Sequence, residues 1–514
     1  MIRFGFLLVL LLMAPARAET VAPPAPEFAQ KLAADVFATA LAFMAPRILD
    51  PVPIGQLTAW GLRGLSALDP RLSTELSGGR LRLSAPDGLL FAAPAPDAAD
   101  AQAWGEAAAE MAGAAWGESE PLRRAGTQGV IDNFFDELFN HLDPYSRYVP
   151  PAEAEADRAR RSSEAGIGLT VALRAGALVA ADVTAGGPAA AAGIRPGDQI
   201  LAVDRQPLRD RDPLQAAALL SGAENSRVVL TVRAPNGRAR EAAVVRAVLP
   251  AETVFAERQA DMLVLRLTGF THATGHGVEH GLRRGLSGPR HPRGIVFDLR
   301  GNRGGLLYQA VAVSAAVLGT GLVVTTVGRD PAADRVLQAD ATDLSGGLPV
   351  VVVVDGRSAS AAEIVAAALA DNRRAVVVGS VTTGKGLIQT VAPLPDGGEL
   401  FVTWSRVLAP LGWPIQGFGV MPQVCTSLGE AALRAQLEDL AQGQEPMQKA
   451  LALSRTAREP MPPAQILDMR NACPAAEGRE ADLEAARFLI DNPDAYAAAL
   501  LPAQLLPSRA SAAH

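Results

Sequence analysis

The sequence predicts a multidomain α/β protein in which helical ends enclose a β-rich module and a core built on a parallel sheet. Apolar runs at 349–354 and 375–379 flank a helical segment at 360–370. Continuous valine runs that alternate with helices are typical of a sheet covered on both faces. By contrast, residues 166–248 contain short strands separated by glycine turns, and both ends of the chain space their apolar residues at helical intervals.

Length and composition indicate a folded chain of several domains. The chain has 514 residues, 49% of them hydrophobic and 20% charged, with a formal net charge of −7. At roughly 100–200 residues per domain, about three to five domains fit this length. The composition is not that of a disordered chain, and the mild acidity gives no electrostatic reason to expect nucleic-acid binding.

The basic residues are unevenly divided between lysine and arginine. Of 47 such residues only three are lysines, namely Lys31, Lys385 and Lys449. Arginine stays protonated in proteins, whereas lysine can lose its proton. Lys31 and Lys449 lie in ordinary helical contexts, but Lys385 lies between two glycines. It is therefore the lysine to examine for proton-transfer chemistry.

The first 18 residues have the pattern of a secretory signal peptide. Arg3 precedes an apolar run at 6–13, and Ala16-Arg17-Ala18 supplies a cleavage site of the small-x-small type. The run is shorter than the roughly 20 residues that a spanning helix needs, and an uncleaved anchor is the alternative. We expect cleavage after Ala18, export to the periplasm or an equivalent compartment, and no stable insertion in a membrane.

The chain has two cysteines, Cys425 and Cys473. An oxidising export compartment permits a disulfide between them, and two free thiols are the alternative. A bond would stabilise the C-terminal part by about 4 kcal/mol in the chain-entropy description. Neither cysteine has a histidine nearby in the sequence, so we expect neither to be a nucleophile.

Shifts in pattern divide the chain into five segments. A linker rich in Pro, Ala and Asp lies at 92–99, and Leu-Asp-Pro ends a helical segment at both 68–70 and 142–144. The expected segments are a signal peptide (1–18), a helical N-terminal region (19–162), a β-rich module (163–248), an α/β core (249–423) and a helical C-terminal extension (424–514).

Three glycine-punctuated loops leave strands of the α/β core, at 298–305, 355–363 and 379–389. Glycines at strand ends allow backbone N–H groups to approach a ligand closely, and a serine at a strand-to-helix turn lies beside unpaired N–H groups. A serine nucleophile needs a base, usually histidine, but none of the six histidines lies in these loops. Lys385 is the alternative base, since a lysine desolvated between glycines and apolar strands can be neutral.

The motifs in these loops resemble those of the carboxyl-terminal processing peptidases, also called tail-specific proteases. The shared strings are Ser-Ala-Ser-Ala-x-Glu at 358–363, Gly-Lys-Gly at 384–386 with Gln389 after it, Leu-Asp-Pro-Tyr-Ser at 142–146, and two PDZ-like strings at 166–169 and 192–198. The resemblance covers about residues 130–423. It implies a crotonase-like or ClpP-like fold for the catalytic core and an inserted PDZ domain at 163–248.

The resemblance also implies catalytic roles. Ser360 corresponds to the family's nucleophile, Lys385 to its general base and Gln389 to the residue that orients the lysine. Ser358, two residues upstream, is the competing nucleophile. Thr383 departs from the family, which usually has an aromatic residue at that position, and this puts the surroundings of the lysine in doubt. Glu363, Asp298 and Arg300 are expected to brace the loops.

An oxyanion hole is implied at two backbone amides. One is that of Ala361, and the other belongs to the Asn-x-Gly-Gly loop, with Gly304 expected and Gly305 as the alternative. Each such donor would stabilise a developing oxyanion by roughly 2.7–4 kcal/mol.

The PDZ resemblance implies a peptide site. The loop should present backbone N–H groups to a peptide carboxylate, and the strand after it should pair with the peptide by β-augmentation. Leu219 and Leu220 are expected to wall the side-chain pocket, and a PDZ domain that serves only as a spacer or gate is the alternative. The expected binding residues are Gly166, Ile167, Gly168 and Leu169.

Taken together, the residues and the resemblance predict an exported serine endopeptidase that cleaves proteins near their C-terminus with a Ser-Lys dyad. Its expected partners are protein or peptide C-termini, with an oligomer or an adaptor partner left open. Two other classes remain. One is a catalytically silent PDZ adaptor that binds exported C-termini, and the other is an acyl-CoA enzyme of the crotonase type, because fold alone does not fix chemistry.

No cofactor and no metal site are expected. His272, His276 and His280 recur every four residues, which would place them on one helix face and suggest zinc. However, Gly275 and Gly277 weaken that helix, and no HExxH pattern is present. The string Thr-Thr-Gly-Lys-Gly at 382–386 lacks the spacing of a phosphate-binding P-loop and the Ser or Thr that follows its lysine.

Overall fold

The fold is that of a computed structural model. It describes residues 27–155, 165–174, 176–184, 187–209, 211–235, 237–248, 252–288 and 290–505. The predicted signal peptide lies outside these ranges. In the described part of the chain, no helix is both long enough and apolar enough to cross a bilayer.

The N-terminal region contains the predicted helices and also a sheet that the sequence analysis missed. The helices are α1 (Gln30–Met44), α2 (Ile54–Leu62), α3 (Gly64–Leu68), α4 (Ala101–Glu118) and α5 (Glu120–Phe139). The antiparallel strands are β1 (Ser73–Ser77), β2 (Arg80–Ala85) and β3 (Gly88–Pro94). In β2 the buried Leu81 and Leu83 alternate with exposed arginines, which is the two-residue period of a strand. The expected helical N-terminal region therefore also contains strands, and the linker predicted at 92–99 begins only after β3, which ends at Pro94.

The segment after α5 connects the N-terminal region to the core. After α5 it passes through the loop at 142–146 and forms β4 (Arg147–Val149), which pairs with residues 399–401. The hydrophobic cluster of the N-terminal helices includes Leu394, Leu400 and Val402 of the core. This packing holds the loop at 142–146 beside the core.

The β-rich module forms a six-stranded sheet with two helices. The sheet contains β6 (Leu169–Arg174), β7 (Ala177–Val183), β8 (Gln199–Val203), β9 (Gln206–Pro207), β10 (Arg227–Arg233) and β11 (Ala239–Val245). The module also has two short strands outside the sheet, β5 (Ala165–Gly166) and β12 (Ala247–Val248). Its helices are α6 (Pro188–Ala191) and α7 (Pro213–Leu220). The main strand order is β11-β10-β8-β7-β6, so β6 lies at an edge. A separate pairing of β5 with β12 joins the two ends of the module.

The core is built on a second six-stranded sheet of order β13-β14-β15-β18-β19-β22. The strands are β13 (Val254–Gln259), β14 (Met262–Leu267), β15 (Gly294–Asp298), β18 (Val350–Val354), β19 (Ala375–Gly379) and β22 (Val424–Cys425). All pairings after the β13–β14 hairpin are parallel. The helices α8 (Thr274–Leu286), α9 (Leu307–Leu318) and α10 (Ala361–Asp371) pack on one face.

An antiparallel sheet lies beside this parallel one. Its strands are β16 (Thr320–Gly328), β17 (Arg335–Asp340), β20 (Leu387–Pro393) and β21 (Glu399–Leu408), in the order β17-β16-β21-β20, with β4 paired to β21. Because β20 begins two residues after Lys385, the sheet fixes where the predicted lysine loop ends.

The C-terminal extension covers the second face of the parallel sheet. Its helices are α11 (Glu430–Ala441), α12 (Gln448–Thr456), α13 (Pro463–Arg470), α14 (Glu480–Asp491) and α15 (Pro493–Ala499). Val351 and Val353 of β18 share a buried cluster with Leu489 and Ile490 of α14. The valine run is therefore buried on both faces as predicted. The extension also contributes β22 to the sheet, so the expected core boundary at residue 423 falls just before a core strand.

Candidate active site

The three glycine-rich loops lie together at one edge of the parallel sheet. They follow β15, β18 and β19, which are neighbours in the sheet and run in the same direction. The carboxyl ends of parallel strands meet at a common edge, where open α/β sheets usually bind ligands. The fold therefore brings the predicted site residues of the core into one region.

Ser360 occupies a strained turn immediately before α10. Its backbone has φ 56° and ψ −116°, a region that residues with a side chain rarely adopt. Strain of this kind is kept only where the surroundings hold it, and it clusters at functional sites. The backbone N–H of Ser360 donates to Oε2 of Glu363 at 2.7 Å, and the side chain is partly exposed.

Ser358, the competing nucleophile, has its hydroxyl engaged inside the loop. The residue is fully buried. Its Oγ donates to the carbonyl of Leu299 at 2.9 Å and accepts the backbone N–H of Asp355 at 3.0 Å. A hydroxyl held in this way supports the turn, so the geometry favours Ser360 over Ser358 as the nucleophile.

A buried glutamate joins the serine turn to the lysine loop. Glu363 Oε2 accepts the backbone N–H groups of Ser360 and Lys385, at 2.7 and 2.8 Å. Its Oε1 accepts the Gly384 N–H at 2.7 Å and the hydroxyl of Thr382. Burial raises the pKa of the Glu363 carboxyl, and these four donors oppose that shift. Glu363 thus has the bracing position that the sequence analysis expected.

Lys385 is half-buried and faces an aromatic ring of the N-terminal region. Its Nζ lies 4.8 Å from the ring centroid of Tyr145, a distance at which a cation and an aromatic face attract each other. Tyr145 belongs to the 142–146 motif, but no role was predicted for it from the sequence. The signal was available, since the motif is one of the strings that carry the family resemblance.

Gln389 is hydrogen-bonded to residues that lie around the lysine. Its Nε2 donates to Oγ1 of Thr403 at 3.0 Å, and that hydroxyl donates to Oδ1 of Asp143 at 2.7 Å. Asp143 also accepts the backbone N–H of Tyr145 at 2.9 Å. Within the described ranges no hydrogen bond joins Gln389 to Lys385. The amide is connected instead to the loop that carries Tyr145.

The backbone amides predicted to form an oxyanion hole differ in whether they already have an acceptor. The N–H of Gly304 donates to Oδ1 of the fully buried Asn302 at 2.8 Å, so it is not directed at a substrate. The N–H of Gly305 has no acceptor among the described residues, and Ala361 is the first residue of α10, where N–H groups lack helical partners. The structure therefore favours Gly305 and Ala361. Two adjacent glycines cannot be told apart in a sequence motif.

Gly304 has a packing role instead. Its φ is 93°, and a Cβ placed on it would lie 2.7 Å from both the Ala359 carbonyl oxygen and the Ser360 Cβ. The loop can approach the serine turn this closely only because residue 304 has no side chain.

The predicted peptide site of the β-rich module lies at a sheet edge. Strand β6 pairs only with β7 in the sheet order, which leaves its other edge available for a peptide strand. Gly168 has φ 72°, whereas Ile167 is buried. Leu219 is partly buried, but Leu220 lies in the module's hydrophobic core. The expectation that Leu219 and Leu220 wall a side-chain pocket stays a prediction.

The histidines of α8 do not assemble a metal site. His276 and His280 are exposed on the helix, and His272 precedes it. Across the residues that the structure describes, no group of three or more His, Cys, Asp or Glu side chains could hold a metal ion.

Comparison with known proteins identifies the family. The sequence profile of Peptidase family S41 matches residues 261–426, and that of the PDZ domain matches residues 179–234. The carboxy-terminal-processing protease of Bartonella bacilliformis is 32% identical over 332 residues, which are 60% of this chain and 76% of that protein. The carboxy-terminal processing protease of Bacillus subtilis is 29% identical over 322 residues, covering 61% and 68% of the two chains.

A solved structure of a photosystem II D1 C-terminal processing protease is also similar. It shares 26% sequence identity at a TM-score of 0.37, over 71% of this chain and 92% of that chain. The predicted fold class, a mixed α/β protein with a peptidase core, a PDZ domain and helical ends, is confirmed. The prediction of a hydrolase is confirmed as well. The chain belongs to Peptidase family S41 and is a serine protease of the carboxy-terminal-processing group that carries a PDZ domain.

Proposed function

We propose that this protein is an exported endopeptidase in which Ser360 and Lys385 form a catalytic dyad. The observation that carries the dyad is the pair of hydrogen bonds by which one oxygen of Glu363 holds the backbone of both residues. Those bonds hold the serine turn and the lysine loop in a fixed position relative to each other. The engagement of Ser358 by Leu299 and Asp355 supports the choice of serine.

The chemistry follows from the two side chains. Nζ of Lys385 acts as the general base and takes the proton of the Ser360 hydroxyl as Oγ attacks the peptide carbonyl. The oxyanion accepts hydrogen bonds from the N–H groups of Ala361 and Gly305. The C–N bond then breaks, the leaving amine receives the proton from Lys385, and an acyl-enzyme remains. Water attacks this ester and gives one proton to Lys385. As the ester C–O bond breaks, Lys385 returns that proton to Oγ of Ser360, and the shortened protein leaves.

The PDZ domain supplies recognition of the substrate tail. The exposed edge of β6 and the glycine loop before it, with Gly166, Ile167, Gly168 and Leu169, fit an extended peptide that ends in a carboxylate. Protein or peptide C-termini are therefore the proposed partners of this site. A partially buried Leu219 beside that edge would contact an apolar side chain of the tail.

Export is proposed on two grounds. Residues 1–18 have the pattern of a cleavable signal peptide, and Cys425 and Cys473 are joined by a disulfide, a bond that persists in oxidising compartments. N-terminal sequencing of the protein recovered from the periplasmic fraction should begin at Glu19. A mature chain that begins at Met1 and stays with the membrane would contradict the proposal.

The dyad is tested by four variants of the purified chain. Ser360→Ala, Lys385→Ala and Lys385→Arg should each abolish cleavage of a tailed protein, because arginine keeps the charge but supplies no base. Ser358→Ala should still cleave the substrate. The variant should be less stable, because the turn loses the hydrogen bonds of the Ser358 hydroxyl. Mass spectrometry of the new C-termini measures turnover, and circular dichroism confirms that each variant is folded.

Two outcomes would contradict the dyad. Wild-type turnover in Ser360→Ala would remove the nucleophile. Tight binding of the tail without any cleavage by the unmodified chain would indicate a PDZ adaptor instead. A chelator such as EDTA should leave turnover unchanged, and a loss would indicate a metal ion that the proposed chemistry does not use.

A further inference from the structure

The C-terminal extension reaches the loop that carries Lys385 through one arginine. Arg470 is the last residue of α13 and is half-buried. Its Nη2 donates to the carbonyl of Thr382 at 2.9 Å, and its Nη1 donates to the carbonyls of Phe418 and Gly417 at 2.8 and 3.4 Å. A single guanidinium therefore joins two segments of the core that are distant in sequence.

These two segments enclose the backbone of Lys385. The N–H of Gly417 donates to the carbonyl of Gly384 at 2.9 Å, and the N–H of Gly386 donates to Oε1 of Gln416 at 3.0 Å. The residues on both sides of Lys385 are thus bonded to the segment that Arg470 holds. A shift of either segment would move the lysine.

Arg470 is also connected to the serine turn. Thr382, whose carbonyl accepts from Arg470, donates its hydroxyl to Glu363, and Glu363 accepts the N–H of Ser360. Burial lowers the pKa of Arg470, while the negative charge of Glu363 opposes that shift. The guanidinium therefore lies within electrostatic reach of the carboxylate that organises both loops.

The turn after Arg470 is fixed to the same loop. Three residues later, Cys473 is bonded to Cys425 of β22, and its carbonyl accepts the N–H of Val381 at 3.3 Å. The carbonyl of Ala476 accepts the hydroxyl of Ser380 at 3.0 Å. The guanidinium is consequently presented from a rigid support, which an arginine on a free helix end would lack.

We infer that Arg470 is a positioning residue of this protease, which clamps the Lys385 loop to the segment at 416–418 and so fixes the general base against the serine turn. The inference rests on the proposed Ser360–Lys385 dyad. Arg470 lies outside residues 261–426, the part matched by the family profile, so the extension contributes to the catalytic geometry and not only to the cover of the sheet.

The experiment compares Arg470→Met with Arg470→Lys in the full chain. Turnover is measured per active site, after titration of Ser360 with a fluorophosphonate. Arg470→Met should lower kcat by about 10²-fold, the scale expected for a misplacement near 1 Å, and should leave KM unchanged. Arg470→Lys should recover part of kcat, because an ammonium can donate to some of the same carbonyls but not to all of them at once.

Arg458→Met is the matched control. Arg458 lies in the same extension and donates to the carbonyls of Arg455, Ala457 and Leu411, so it also bridges the extension to the core, but away from Lys385. This variant should keep the wild-type kcat. If Arg470→Met does not accumulate as folded protein, Arg470→Gln carries the same expectation of lowered kcat.

Two results would overturn the inference. One is a wild-type kcat per titrated site in Arg470→Met or Arg470→Gln. The other is an equal loss in Arg458→Met, which would show a general stabilising role of the extension. Neither result bears on the dyad, which is tested separately by Ser360→Ala and Lys385→Ala.

Discussion

The backbone N–H of Lys385 donates to Oε2 of Glu363 at 2.8 Å, and the same oxygen accepts the N–H of Ser360 at 2.7 Å. Glu363 is fully buried and is the third residue of α10, on the helix that Ser360 precedes. A carboxylate with four donors fixes the main chain on both sides of the proposed reaction centre. Catalysis by two side chains on separate loops requires such a fixed relation, because proton transfer demands hydrogen-bond distance.

Replacing this carboxylate should disturb both loops at once. In Glu363→Gln an NH₂ group takes the place of one acceptor oxygen and faces N–H donors that it cannot satisfy. We expect a loss of about 1–3 kcal/mol in the free energy of unfolding and a fall in kcat. The free energy is measured by urea denaturation. Glu279→Gln, at an exposed position on α8, is the control and should change neither quantity. An active, fully stable Glu363→Gln protein would be incompatible with the bracing role.

Two glycines of the loop at 298–305 allow the effect of steric contact with the serine turn to be distinguished from the effect of backbone strain. Gly304→Ala should abolish activity, because its Cβ would meet the Ala359 carbonyl and the Ser360 Cβ at 2.7 Å. Gly301, like Gly304, has a positive φ, of 70°, but a Cβ placed on it would have no heavy atom within 4 Å. Gly301→Ala is therefore the control. That control should lose about 1–2 kcal/mol of stability from strain while it retains turnover. Equal inactivation of the two variants would mean that strain, and not the close approach to Ser360, limits the loop.

The ring of Tyr145 should matter more than its hydroxyl. Tyr145→Phe keeps an aromatic face for Lys385 Nζ, at 4.8 Å from the present centroid, and should keep most of kcat. Tyr145→Leu removes the aromatic face beside Lys385 Nζ and should lower kcat further than Tyr145→Phe does. Steady-state kinetics with one tailed substrate distinguish the two. The contact would have no role in positioning the lysine if leucine served as well as phenylalanine.

The sequence predicted the core sheet well because local pattern determines it. The valine runs of β18 and β19 and the helix between them are visible without tertiary information, since both faces are buried and no alternation is expected. The sheet at 73–94 was missed because the segments around it are helical and its strands are short. Only the alternation in Arg80-Leu81-Arg82-Leu83 indicated a strand.

Candidate site residues could be predicted where they belong to a sequence motif. They could not be predicted where they depend on a contact that only the folded chain makes. Ser360 and Lys385 follow from strings of the resemblance, and the bracing role of Glu363 follows from its place in the first turn of α10. The choice between Gly304 and Gly305 depends on which N–H bonds Asn302, and a motif does not encode that. The contact between Arg470 and Thr382 spans 88 residues of chain, so only the packed extension reveals it.

The extension is also anchored by a buried ion pair at the end of α10, the helix that Ser360 precedes. Asp371, the last residue of α10, accepts Arg455 Nε at 2.9 Å and Trp413 Nε1 at 2.8 Å. The two ionic side chains are 0% and 1% exposed. Removal of one would leave the other charge buried without a partner, which is strongly destabilising. Burial raises the pKa of the Asp371 carboxyl, and the charge of Arg455 opposes that shift.

Loss of the arginine should therefore be more costly than loss of a surface partner. Arg455→Met leaves Asp371 buried without its cation and should lower the free energy of unfolding by about 3–5 kcal/mol. Without the cation the folded-state pKa of Asp371 rises further above its unfolded value, so the deficit should shrink as the pH falls and the carboxyl is protonated. Arg293→Met breaks the exposed pair with Asp491, which also joins core to extension, and should cost about 0–1 kcal/mol. Urea denaturation at two pH values measures both variants, and equal costs, or a deficit in Arg455→Met that grows as the pH falls, would show that the buried pair does not anchor the extension.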